Sequence, residues 1–334
     1  MTTATAADAP ARSVQRSPLP AGLLGYIAAT SWVHQLPLLA LTVAVFLLEV
    51  VPLELQRRVV NDAVKHRQYS TVLVLCTAYA GAVILQGSIK LAVNIYRAWV
   101  GERAKRVLRQ AVCVAAGTGA RTADARGTAV SLVVAEVEPV GNFIGGAISE
   151  PLLQGGILVT VVVYVIHLDV WMGAAALTLF IPQMIFVPMM QRAMNRRTGV
   201  RVWLLRQIGT GLVAADRQRE AIIAGEVPRI DRIFRINMHI FELKFTMNFL
   251  MNLCTHAQII MALLLGSWRV LQGDLEIGGV VAFISGIGRL IDPWGDFVNY
   301  CRDLSVNSVK FKLLAAAVND PDDTAAGALN WLHD

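Results

Sequence analysis

The stretch that decides the fold is Gln191–Lys244, QRAMNRRTGVRVWLLRQIGTGLVAADRQREAIIAGEVPRIDRIFRINMHIFELK. It carries eleven Lys/Arg, from Arg192 to Lys244, yet lies between two strongly apolar segments, Val170–Met190 and Met247–Trp268. Its apolar residues, Ile222, Ile223, Ile230, Ile233, Phe234 and Ile236, recur at helical spacing. Compact folds rarely hold a structureless connection of that length. The stretch therefore reads as two helices that continue out of flanking membrane spans, turn, and return as a basic hairpin.

Composition sets the same frame. The 334 residues are 55% hydrophobic and 16% charged, with a mean hydropathy of +0.53. Soluble domains carry about a quarter charged residues. That deficit, with several apolar runs near the length needed to cross a bilayer, predicts an integral all-α membrane protein. The cysteines, Cys76, Cys113, Cys254 and Cys301, stand apart in or near apolar helices and read as free thiols. Residues 1–18 are polar, without the apolar core of a signal peptide, and read as a disordered tail.

Outward from the hairpin the chain reads as six spans. Leu19–Gln35 is mildly amphipathic, with Tyr26 and Trp32 as interface-type aromatics, and is either a helix along the membrane surface or a lead-in to the first span. The first span is Leu36–Leu55, followed by a polar loop, Gln56–Ser70. The second is Thr71–Tyr96, with helix continuing over Val100–Ala116. The third is Pro139–Ile166, with Glu150-Pro151 inside it. After a short break, His167-Leu168-Asp169, comes the fourth, Val170–Met190, with Pro182 and Pro188. The fifth is Met247–Trp268, the turn is Gln272-Gly273-Asp274, and the sixth is Ile277–Tyr300. Residues 319–334 form a polar tail. Both termini and both long connections share one side, and that side carries 23 Lys/Arg against 5 on the other. The positive-inside rule makes it cytoplasmic and points to a cell (inner) membrane.

Local sequence resembles a known architecture. Arg126-Gly127-Thr128, Ser131-Leu132-Val133 and Glu136-Val137-Glu138 resemble the lead into the third span of ABC exporters. Gly273-Asp274-Leu275-Glu276-Ile277-Gly278 with Val281-Ala282-Phe283 resembles their outer turn before the sixth span. Leu290-Ile291-Asp292-Pro293-Trp294 resembles their Leu-x-x-Pro element, and Leu19–Leu36 their interfacial elbow. Residues 19–318 thus look like an ABC exporter transmembrane domain: six transmembrane helices with long cytoplasmic helical extensions. The resemblance implies coupling helices at the hairpin tips, about Val112, Ala115 and Arg121 in the first, and Gly209, Gly211, Leu212 and Asp216 in the second. It implies a second transmembrane half, identical or related, and ABC ATPase subunits. The phosphate-binding loop GxxxxGK[ST] does not occur in this sequence. ATP and Mg are therefore expected on a partner subunit, with no catalytic residue and no cofactor on this chain.

Ionisable and amide residues at membrane depth are costly and mark pathways or packing pairs. Candidates are Glu49, Lys90, Asn94, Asn248, Asn252, His256, Arg289, Asp292 and Asp296. Asn248, Asn252 and His256 repeat at i,i+4, and helical spacing places Arg289, Asp292 and Asp296 on one face. Glu49 and Lys90 are a candidate pair. Glu136 and Glu138 read as solvated. The histidines do not cluster and no HExxH occurs, so no metal is expected. The basic hairpin is explained by membrane topology without nucleic acid. An ion-coupled secondary transporter and a membrane scaffold are the alternative readings.

Overall fold

The computed structural model describes residues 19–20, 22–65, 69–118, 136–213 and 219–319. Residues 1–18 and 320–334, Arg121, the Arg126–Val133 motif and Asp216 lie outside them. Among the described residues the regular structure is helical, without strands. The helices are α1 (Leu23–Thr30), α2 (Trp32–Leu48), α3 (Val50–Lys65), α4 (Tyr69–Thr118), α5 (Val137–Gly146), α6 (Ser149–Leu168), α7 (Val170–Val213), α8 (Arg219–Gln272), α9 (Ile277–Gly288) and α10 (Ile291–Asn319). Six stretches are long and apolar enough to cross a membrane: Trp32–Val64, Tyr69–Ala115, Ser149–Leu168, Val170–Leu205, Val227–Gln272 and Ile277–Asn319.

Three predicted spans are interrupted, at Glu49, at Ala147-Ile148 and at Arg289-Leu290. Each interruption has a proline at the third residue of the helix that follows: Pro52, Pro151 and Pro293. Proline has no N–H and its ring crowds the carbonyl four residues back, so the helix cannot run straight through. The preceding helices end with tightened i→i−3 bonds: Glu49 to Phe46 (3.3 Å), Ala147 to Ile144 (3.5 Å) and Arg289 to Gly286 (3.0 Å). The polar loop expected at Gln56–Ser70 is helical as far as Lys65. Glu54 pairs with Arg57 and Arg58 at 2.8 Å each, and such i,i+3 and i,i+4 pairs favour helix. Gly209-Thr210-Gly211, placed by the resemblance at the second hairpin tip, is still helix within α7.

The chain divides into two compact units. The first comprises Met1–Val45, Gly87–Leu153 and Asn299–Asp334. Its core joins Leu23, Tyr26 and Ile27 of α1 to Leu108 and Val112 of α4, Val140 and Ile144 of α5, and Phe311 and Leu314 of α10. Tyr26, expected at the membrane surface, is instead 2% exposed, with its ring 5.1 Å from that of Phe311. Burial pushes its hydroxyl pKa up. Leu19 and Asn319 exchange two hydrogen bonds, Leu19 N–H to Asn319 Oδ1 (2.9 Å) and Asn319 Nδ2 to the Leu19 carbonyl (3.0 Å). Lys105 stands 2.6 Å from Glu102 and 3.6 Å from Glu138, while Lys310 reaches Glu136 at 2.9 Å. The acidic pair read as solvated is thus engaged by cations of α4 and α10.

Helices α4 and α5 approach until their backbones touch. A Cβ on Gly145 would overlap the Arg97 carbonyl and stand 3.1 Å from the Gly101 nitrogen; one on Gly101 would stand 3.0 Å from the Gly141 carbonyl. Gly141 and Gly145 have the GxxxG spacing that lets membrane helices pack closely.

The second unit comprises Phe46–Gln86 and Gln154–Val298. Asp169 caps α7, accepting from the Met172 N–H at 2.9 Å, and pairs with Arg269 of α8 at 3.0 Å. Helix α8 ends in a Schellman motif: Asp274 N–H bonds the Arg269 carbonyl and Gly273 N–H the Val270 carbonyl, both at 3.0 Å. Gly273 has φ +81°, which only glycine adopts without strain. Helices α7 and α8 pack along each other as the long hairpin. They contain 44 and 54 residues, so at ~1.5 Å per residue they extend roughly 65 and 80 Å, at least twice the hydrocarbon thickness.

Gly145→Leu is expected to destabilise the chain by about 1–3 kcal/mol or abolish folding, since overpacking must push α4 from α5. Gly155→Leu, where a new Cβ meets nothing within 4 Å, is expected to be neutral. Thermal melts of the detergent-purified variants measure the difference.

Candidate functional site

The first interruption and the last are brought together within the second unit. Arg289, which ends α9, pairs through Nη1 with Glu49 Oε1 and donates to the Glu49 backbone carbonyl at 3.2 Å. Gln86 of α4 donates to the other carboxylate oxygen, Oε2. One carboxylate thus holds an arginine and an amide from two further helices. The pair is half-buried, with 16% of the Glu49 side chain and 29% of Arg289 exposed. At membrane depth such charges persist only when compensated, and each of these compensates the other.

The structure corrects the expected grouping. Glu49 takes Arg289 and Gln86 as its partners, while Lys90 is exposed. Arg289, Asp292 and Asp296 do not lie on one continuous helix, because the turn at Arg289-Leu290 separates the first from the other two. Asp292 and Asp296 are exposed, and Asp296 accepts from Gln154 Nε2 at 3.3 Å. Asn94, Asn248, Asn252 and His256 are exposed as well.

A second charged pair lies in the first unit. Arg97 of α4 pairs through Nη1 with Glu150, in the first turn of α6. Beside it, the Tyr300 hydroxyl of α10 donates to the Ala147 carbonyl at 2.6 Å. Ala147 is four residues before Pro151, so this is the carbonyl that the proline leaves without a helical donor. A side chain supplies the bond that the backbone cannot.

Of the residues expected to couple to a partner, Val112 is 1% exposed and Ala115 2% exposed. Both belong to the first unit's core, because α4 runs on to Thr118 with its apolar face on α1, α5 and α10. They present no docking surface. Gly209, Gly211 and Leu212 are in the last turns of α7; their side chains, like Arg121 and Asp216, lie outside the described residues.

Sequence reasoning passed over the glutamines. Gln35, Gln183 and Gln258 are at most 2% exposed, and Gln86 holds Glu49. A lone amide leaves no periodic mark in an apolar helix, whereas ionisable residues stand out. Gln258 lines a cavity of about 10 Å³ with Phe180, Val165, Gly173, Ile287 and Leu290. That is room for about one water molecule, not a transported molecule. Among the described residues no group of His, Cys, Asp or Glu could hold a metal. No family model matches the chain, and no curated protein matches it.

Arg289→Met is expected to destabilise the chain by about 1–3 kcal/mol, because it leaves the Glu49 carboxylate short of its cation. The double variant Glu49→Gln, Arg289→Met is expected to recover much of the loss. Thermal unfolding of both single variants and the double variant gives the coupling directly.

Proposed function

We infer that this chain is the membrane-spanning half of an ATP-driven exporter with an ABC exporter-type transmembrane domain. It forms part of a substrate pathway and couples to separately encoded ATPase subunits. The observation that carries this reading is the pair of helices α7 and α8, which extend at least twice the hydrocarbon thickness and pack together as a hairpin rich in Lys/Arg. A helix needs about 20 residues to cross a bilayer. The surplus makes a lever that can carry the movement of an attached motor into the spans. Helix α4, at 50 residues, offers a second such extension.

In this reading the basic hairpins and both termini face the cytoplasm, and ATP and Mg bind the partner. A second transmembrane half, identical or related, completes the pathway. Closure of the ATPases selects between two arrangements of the spans, as any ligand with different affinity for two states shifts their populations. The interruptions at Glu49, Ala147-Ile148 and Arg289-Leu290 give the spans places to bend. The Glu49–Arg289 pair favours a second reading, an ion-coupled transporter, because an intramembrane carboxylate is a common relay for protons or cations.

Mild-detergent capture of the chain from its native membrane, followed by mass spectrometry, separates the two. The exporter reading predicts a stoichiometric partner that carries a phosphate-binding loop and an ABC signature sequence. A self-contained oligomer with no nucleotide-binding partner would contradict it and leave the ion-coupled reading.

A further inference from the structure

Along one exposed face of α4 the side chains change character with depth. Ile84, Leu91 and Ile95 are 60–69% exposed, Trp99 is 49% exposed, and Arg103 and Arg106 follow, also exposed. The spacing of seven, four, four, four and three residues keeps them on one stripe. The span read from the sequence on this helix ends at Tyr96, three residues before Trp99. Trp99 therefore falls at the depth of an interfacial aromatic girdle, and the arginines one turn beyond it fall at the depth of phospholipid headgroups.

The end of this stripe is built rather than merely basic. His34 of α2 sets its ring edge-on to Trp99, with centroids 5.0 Å apart. Its Nδ1 is 3.0 Å from the Tyr96 hydroxyl, and its Nε2 meets Arg103 Nη1. Arginine can only donate, so Nε2 is the acceptor and Nδ1 carries the proton toward Tyr96. The Arg103 guanidinium also stands 5.7 Å from the Trp99 ring. Its partners among the described residues are thus neutral, and the adjacent carboxylate, Glu102, is taken by Lys105 at 2.6 Å. Arg103 is held in place with no carboxylate paired to it among the described residues. On α2, Trp32, Val33 and Leu36 flank His34 in sequence and are 55%, 73% and 49% exposed.

We propose that His34, Trp99, Arg103 and Arg106 form a binding site for the phosphate of an anionic phospholipid headgroup, whose acyl chains lie along Ile95, Leu91 and Leu36. The guanidinium fork suits phosphate oxygens, and the aromatic and aliphatic surface below it suits glycerol and acyl carbons. A free phosphate would use the arginines but not the apolar stripe. The site requires only that the chain cross a membrane, not that it be an exporter.

Native mass spectrometry of the purified full chain in neutral detergent tests this, with phosphatidylglycerol and phosphatidylcholine titrated separately. The wild type is expected to retain one phosphatidylglycerol in preference to phosphatidylcholine. The variant Arg103→Gln, Arg106→Gln is expected to weaken that retention roughly thirtyfold, as two juxtamembrane cations should. The control variant Arg232→Gln, Arg235→Gln, on the long hairpin, is expected to retain the lipid as the wild type does. Equal retention of both lipids, equal loss in both variants, or displacement of the lipid by millimolar inorganic phosphate would each overturn the proposal. Capture of an ATPase partner is measured independently, so failure here leaves the exporter reading standing and the reverse also holds.

Discussion

Inside a bilayer no water is present to accept or donate a hydrogen bond, so each backbone polar group must find its partner within the protein. The most consequential feature of this structure is how it meets that demand where proline interrupts a span. At Ala147 the carbonyl left over by Pro151 receives the Tyr300 hydroxyl. At Glu49 the carbonyl receives Arg289, which pairs with the Glu49 carboxylate at the same time. The first contact repairs the carbonyl that Pro151 frees, the second braces the turn that precedes Pro52, and each ties one span to another. The polar residues at these points therefore fix helix packing and mark the places where the spans can bend.

Two kinds of cohesion follow. Where helices lie among lipid tails, apolar contact alone gives little preference for another helix over lipid. Charged and amide partners, as at Glu49, carry specificity there. In the basic stretches of sequence beyond the spans, water is the alternative to burial. The first unit also holds an ordinary hydrophobic core around Tyr26, Leu108 and Phe311. Helices longer than a span needs, joined to spans with built-in bends, are the arrangement that the proposed coupling to an ATPase needs.

Much of this was legible from residue pattern. The number of spans, the break at Asp169 and the turn at Gly273 follow from apolar length and from residues whose chemistry is local, a capping carboxylate and a glycine with positive φ. The continuation of helix over Arg192–Val213 and Arg219–Lys244 follows from periodicity. The interruptions were not legible, because proline does not announce its effect. Pro182, Pro188 and Pro228 sit inside α7 and α8, which run on through them, whereas Pro52, Pro151 and Pro293 each follow a break. The donor at one such break, Tyr300, is 153 residues from Ala147 in the chain. The grouping of Arg289 with Asp292 failed for the same reason: i,i+3 logic assumes a helix that Pro293 ends. The Glu49–Arg289 pair spans 240 residues, a separation that no local pattern encodes.

The most direct test of the account is hydrogen–deuterium exchange on the native complex in lipid nanodiscs, with and without ATP, Mg and vanadate. If nucleotide on a partner drives these spans, exchange should change at the segments around Glu49, Ala147-Ile148 and Arg289-Leu290, with the intervening helices unchanged. Identical exchange at all three segments, in a complex shown to bind nucleotide, would contradict it.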